Sequence, residues 1–85
     1  MTQHLATASF WKLYEGLPAK TQKLADKNFE LLKVDARHPS LRFKKVGKIW
    51  SVRVGLDFRA LAIPDDKGFI WFWIGNHSDY EQLLK

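Results

Sequence analysis

The spacing of apolar residues changes character once along the chain. Before Pro39 it has a helical period. Phe10, Leu13, Tyr14 and Leu17 follow i, i+3, i+4, i+7 spacing, which places them on one face of a helix over about residues 8–16. Gly16-Leu17-Pro18 ends that helix, and Pro18 suits the first turn of the next. From Ala19 to Asp35 the residues are good helix formers, and Ala25, Phe29 and Leu32 form a stripe that Leu24 and Leu31 widen. Two helices joined by so short a turn are expected to lie antiparallel as a hairpin.

After Pro39 the period falls to two, the signature of strands. Leu41 and Phe43 alternate with Arg42 and Lys44; Trp50, Val52 and Val54 alternate with Ser51 and Arg53; Phe58, Ala60 and Ala62 alternate with Arg59, Leu61 and Ile63. Residues 69–74 are apolar on both faces, as in a strand covered on both sides. The connections 46–48, 55–57 and 64–68 each carry a glycine, as tight hairpins do. The pattern predicts a four-stranded antiparallel meander, then a short helix from Ser78 as N-cap to Leu84. Residues 3–6 are too few to classify and are compatible with a short edge strand. The expected fold is one α+β domain over residues 1–85, an N-terminal helical hairpin on a four-stranded antiparallel sheet with a short C-terminal helix.

Composition agrees with one small folded unit. The 85 residues are 46% hydrophobic and 14% aromatic, too apolar for a disordered chain and enough for one core. The absence of cysteine excludes a disulfide framework and a thiolate metal site. The three histidines are scattered, so neither a metal nor a cofactor is expected. No apolar run approaches the roughly 18–20 residues of a membrane span, and no secretory signal opens the chain. A cytoplasmic protein without membrane contact is expected.

Charge adds a direction. Lys plus Arg is 14 against 9 Asp plus Glu, a net +5. The excess lies in residues 33–59, where Lys33, Arg37, Arg42, Lys44, Lys45, Lys48, Arg53 and Arg59 face only Asp35 and Asp57. Such a field attracts polyanions or an acidic partner protein. Hairpin arithmetic concentrates part of it. With 55–57 as a loop, Val54 faces Phe58 and Arg53 faces Arg59. With 64–68 as the next, Ile63 faces Phe69, Arg59 faces Trp73, and His77 falls near Gly55 and Asp57. Two Arg opposed on one sheet face repel, unless an anion joins them or Asp57 pairs with them.

This neighbourhood suits phosphodiester chemistry. Cleavage of RNA by its own 2′-hydroxyl needs a base, an acid for the leaving 5′-oxygen, and cations where charge builds on the phosphoryl oxygens. Arg offers a fork matched to phosphate, and His exchanges protons near neutral pH. Lys44, Lys45, Lys48 and Arg42 would hold the RNA backbone, and an exposed Trp73 would offer a ring to a base.

The stretches His38-Pro39-Ser40-Leu41, Trp50-Ser51-Val52-Arg53-Val54, Phe58-Arg59-Ala60-Leu61 and Trp71-Phe72-Trp73-Ile74-Gly75-Asn76-His77-Ser78-Asp79-Tyr80 resemble the RelE/ParE toxin superfamily. The resemblance spans essentially the whole chain and is greatest to compact RelE-like members ending in Gly-x-His-x-x-Tyr. It implies a toxin neutralised by a cognate antitoxin. RelE-like members cut mRNA, commonly on the ribosome, and so inhibit translation; ParE-like members poison DNA gyrase instead. The resemblance assigns Arg59 to the scissile phosphate, Arg53 to an active-site cation, and His77 to the position of a catalytic His in YafQ- and YoeB-like toxins. His38 and Asp57 match functional positions of YafQ-like toxins, and Tyr80 matches the C-terminal aromatic that stacks or shuttles protons. Ser51 stands where RelE carries one of a pair of Lys. The sequence thus favours a metal-independent endoribonuclease toxin, with a gyrase inhibitor or a catalytically weak antitoxin-binding relative as alternatives.

Overall fold

The computed structural model of the chain describes residues 2–83. Thr7 opens the first helix, α1 (Ala8–Glu15), by accepting a hydrogen bond from Phe10 N at 3.1 Å. At its other end Gln22 Nε2 donates to Tyr14 O at 3.0 Å, a carbonyl at the helix end that also accepts from Leu17 N at 3.0 Å. Gln22 belongs to α2 (Ala19–Val34), so the tight turn is stapled from the second helix. A second staple runs from the Tyr14 hydroxyl to Asp26 Oδ1 at 2.7 Å. That bond, with some burial and the charge of Asp26, holds the phenol proton and raises Tyr14 above its ordinary range. The predicted helical hairpin is present, within a residue of its expected ends.

The sheet is larger than the four-stranded meander expected. β2 (Lys44–Val46), β3 (Ile49–Val54), β4 (Phe58–Asp65) and β5 (Gly68–Asn76) form that antiparallel meander, and β1 (Gln3–Ala6) adds a fifth strand parallel to β5, giving the order β1-β5-β4-β3-β2. A parallel partner reached through both helices and the whole meander leaves no turn signal in the sequence. Its signature is instead Gly68, where a Cβ would collide with the backbone of Gln3. Gly68→Ala is expected to unseat β1 and cost about 1–3 kcal/mol, the usual range for overpacking, read as a lower midpoint in urea unfolding.

The meander also starts later than its alternation suggested. Pro39–Leu41 form a 3-10 turn, and Arg42 follows in the left-handed region at φ 44. Leu41 is fully buried there as a plug under the sheet rather than as a strand residue.

One face of the sheet carries the main core. Val52, Val54, Ala60, Ala62, Trp71 and Ile74 pack there with Leu32 of α2 and with Leu41. Trp71 and Ile74 share that face despite their odd spacing because β5 is bulged: Ala62 pairs with Trp71 but Leu61 with Trp73, leaving Phe72 as the extra residue. Between the two helices and the sheet lies an apolar cavity of about 300 Å³, bordered by Phe10, Trp11, Phe29 and His4 among others.

His4 fastens β1 over this core. Its Nδ1 accepts from Trp71 Nε1 at 3.1 Å, and its ring stacks on Phe69 and meets Phe29 edge-on. Burial, and then the charge of Lys33, hold the imidazole below its ordinary pKa of 6.5. The unfolded chain therefore binds this proton more readily than the folded one, so stability is full above the unfolded value and falls as pH drops below about 6.5. A His4→Phe variant is expected to lose that part of the acid slope in thermal melts between pH 7 and 5.

The opposite face is covered by α3 (His77–Leu83). Its first turn is capped by Asn76, whose Oδ1 accepts from Asp79 N at 2.8 Å, and not by the expected Ser78. Leu84, the expected helix end, lies outside the described residues. Tyr80 is the buried anchor of α3, and Leu61 on the same sheet face is 1% exposed.

Candidate functional site

Two rows of side chains cross the face turned away from the helical hairpin. Direct partners in neighbouring strands share a face, so the register can be read as rows. The first is Lys44–Ser51–Leu61–Trp73. The second, two residues along each strand and roughly 7 Å away, is Arg53–Arg59–Gly75. The opposition of Arg53 and Arg59 is as the sequence predicts. The partner of Arg59 is not: Gly75, rather than Trp73, stands opposite it, and Ile63 pairs with Ile70 rather than Phe69. The β4–β5 turn is the tight pair Asp66-Lys67, and the bulge at Phe72 adds one further residue of offset.

Neither arginine meets a carboxylate. The ion pairs among the described residues are Lys33–Glu30 and His77–Glu81, and Asp57 holds neither Arg. Arg53 is half-buried and spends its Nε on Gly55 O at 3.0 Å, across the β3–β4 hairpin. Its backbone is fixed from the other face by Asn28 of α2, whose Nδ2 donates to Arg53 O at 3.0 Å. Arg59 is bound more tightly but satisfied less. Its guanidinium lies over the Tyr80 ring, 5.2 Å from the centroid, a cation–π contact. Its Nε and Nη1 are shut off from solvent and have no hydrogen-bond partner. The remaining buried orphan among the described side chains is Ser51 Oγ, on the same face one strand away. All the orphaned donors therefore cluster in one place. Burying a charged donor without a partner is costly, and a cluster of such donors has the character of a site awaiting an acceptor.

His77 stands at the rim. Its backbone N–H donates to Asp57 O at 2.7 Å, which continues the β4–β5 ladder and puts it beside the β3–β4 hairpin, as the sequence predicts. Its ring lies 5.8 Å from that of Tyr80, so Tyr80 contacts both Arg59 and His77. Nε2 is 2.8 Å from Glu81 Oε1 one turn on, which leaves Nδ1 toward solvent. Tyr80 is thus a buried spacer between the two, with its face used by Arg59 and not open to a base.

The other sequence candidates lie apart. Lys44 shares the site's face at the sheet edge, while Lys45 pairs with Trp50 and so projects from the helical side. Lys48 lies in the β2–β3 turn, and Arg42 in the left-handed bend before β2. His38 caps the 3-10 turn, its Nδ1 accepting from Ser40 N at 3.2 Å, and it makes no contact with the Arg pair. Asp57 is exposed and touches the site through its backbone. Sequence reasoning missed Glu81, although i, i+4 spacing from His77 was a visible signal, and Asn28, for which no local signal exists. Among the described residues no three His, Asp or Glu side chains converge as metal ligands would, and no helix is long and apolar enough to cross a membrane.

No protein-family model matches the chain, and no curated protein sequence does. Solved structures do match. A chain of the RelB–RelE antitoxin–toxin complex from Methanococcus jannaschii superposes with a TM-score of 0.73 at 15% identity, over 95% of this chain and 99% of that one. YafQ from Escherichia coli superposes at 0.74 and 10% identity, over 94% and 98%. A chain of the YoeB–YefM complex from Staphylococcus aureus superposes at 0.66 and 13% identity, over 91% and 98%. The fold is therefore that of the RelE/ParE toxins, over almost the full length of each neighbour.

Proposed function

We propose that this chain is the toxin of a toxin–antitoxin pair and that it cuts mRNA on the ribosome, in the cytoplasm, as a metal-independent endoribonuclease. The observation that carries this reading is the group of unpartnered donors on one sheet face, Arg59 Nε and Nη1 with Ser51 Oγ, beside the uncompensated Arg53. A phosphodiester supplies the acceptors that these groups lack. The toxin part of the reading is supported by the fold, whose neighbours include chains of the RelB–RelE antitoxin–toxin complex and of the YoeB–YefM complex.

In this mechanism the 2′-hydroxyl of the substrate gives up its proton to water as its oxygen attacks phosphorus, and the bond to the 5′-oxygen breaks, leaving a 2′,3′-cyclic phosphate and a 5′-hydroxyl. Arg59 and Arg53 stabilise the charge that grows on the non-bridging oxygens. His77, through the Nδ1 that Glu81 leaves free, moves the proton at the leaving oxygen. Because Arg59 Nε and Nη1 are shielded, a phosphate reaches them only when the Tyr80 side of α3 shifts outward.

The test is pulse-labelling of protein and DNA synthesis in cells just after inducing this chain alone. Protein synthesis is expected to fall first, and induction of a cognate antitoxin to restore it. A fall in DNA synthesis first would favour the gyrase reading. No fall in either would favour a relative that only binds its antitoxin.

A further inference from the structure

The bulge in β5 gives the site a feature that phosphate chemistry alone does not require. Gly75 is the direct partner of Arg59, so it leaves a gap in the sheet face next to that guanidinium. The gap is filled from the neighbouring row. A Cβ on Gly75 would stand 2.5 Å from Cζ2 and 2.8 Å from Cη2 of Trp73, so the benzo ring of Trp73 lies over the backbone of Gly75. The indole therefore occupies the place beside Arg59 that a side chain at position 75 would have taken. It is only partly buried and forms no ring-to-ring contact among the described aromatics, whereas Trp71 and Trp50 are both engaged with other rings. A flat, half-exposed ring held one strand from an unpartnered guanidinium has the spacing of a nucleotide, whose base and phosphate are a ribose apart.

We propose that Trp73, seated on Gly75, is the stacking platform for the nucleobase adjoining the phosphate bound by Arg59. This deepens the RNA-cleavage reading and rests on it. The member of its row next to Trp73 is Leu61, which offers no hydrogen-bonding group to a base edge. The platform therefore accepts any base by its face, and its preference follows stacking strength rather than edge recognition.

The test uses fluorescently labelled RNA oligomers, fully 2′-O-methylated so that they bind without being cut. One set has a single abasic residue moved along the chain. Binding by anisotropy is compared for the wild type, Trp73→Leu, Trp73→Phe and Arg59→Met. Stacking on an aromatic ring supports a loss of roughly tenfold in affinity on Trp73→Leu. Trp73→Phe is expected to keep most of the affinity, which also controls for folding. An abasic residue at one position is expected to weaken the wild type by a similar factor and to leave Trp73→Leu unaffected. Equal binding by Trp73→Leu, or an abasic penalty that persists in it, would overturn the platform while leaving the Arg59 reading intact. RNA binding that is absent, or indifferent to Arg59→Met, would overturn both.

Discussion

Replacing Arg59 by methionine is expected to abolish the activity and, at the same time, to stabilise the fold. The two effects have one cause. Arg59 keeps two guanidinium nitrogens out of water without a partner, and each buried orphan of this kind costs on the order of 1–3 kcal/mol. Its contact with Tyr80 returns part of that, about 0.5–1 kcal/mol for a cation over a ring. Methionine fills similar space beside Tyr80 and Leu61 with no charge to desolvate. Two such costs set against that contact leave a net gain of at least about 1 kcal/mol, which in a domain of this size raises the melting temperature by roughly 4 °C or more. Loss of an oxyanion-binding donor lowers the rate by at least about 10²–10³-fold. Calorimetry and a toxicity assay on the same variant check both. An Arg59→Met protein that melts lower than the wild type would mean that Arg59 is a structural group.

The sequence made Arg59 and Arg53 visible as a pair because a three-residue hairpin leaves little freedom in register, and the pair lies where that arithmetic puts it. The same arithmetic misplaced Trp73 by two residues, one from the tight Asp66-Lys67 turn and one from a bulge that has no mark in an all-apolar strand, where Phe72 reads like its neighbours on either side. Residues 3–6 do form the short edge strand the sequence allowed, but its parallel pairing with β5 was not legible, since that partner lies across the whole chain. Burial of Arg59 and Ser51 was also beyond the sequence. Both alternate with apolar residues as solvent-facing positions would, and the Tyr80 ring laid over Arg59 comes from α3, outside the strand pattern. Lys45 was read as basic but not as a residue of the opposite face, because direction is a tertiary property.

The second large effect is expected at His77. His77→Ala should lower cleavage by about 10²–10⁴-fold, the usual contribution of a positioned acid or base. Its stability should stay within about 0.5 kcal/mol of the wild type, since the ring is exposed and its bond to Glu81 is a surface pair. Glu81→Gln keeps a hydrogen-bond acceptor at the same place and should cost far less than His77→Ala. The pairing of results matters more than either alone. Arg59→Met loses activity and gains stability, whereas His77→Ala loses activity with stability unchanged. A packing role for His77 would reverse that pattern, with a lower melting temperature and full toxicity. Single-turnover cleavage rates and thermal melts on the two variants separate the cases.

The central claim is that the donors gathered around Arg59 act on a ribose phosphodiester through its own 2′-hydroxyl. The most direct measurement is end-mapping of a short mRNA in a translating extract, with the purified chain added. The same message carrying a 2′-deoxy residue at the mapped cut site is run alongside, as is Arg59→Met. A discrete cut is expected, with a 5′-hydroxyl on the downstream fragment, lost with the 2′-deoxy substitution and lost with Arg59→Met. An intact message, or a cut that survives both changes, would contradict it.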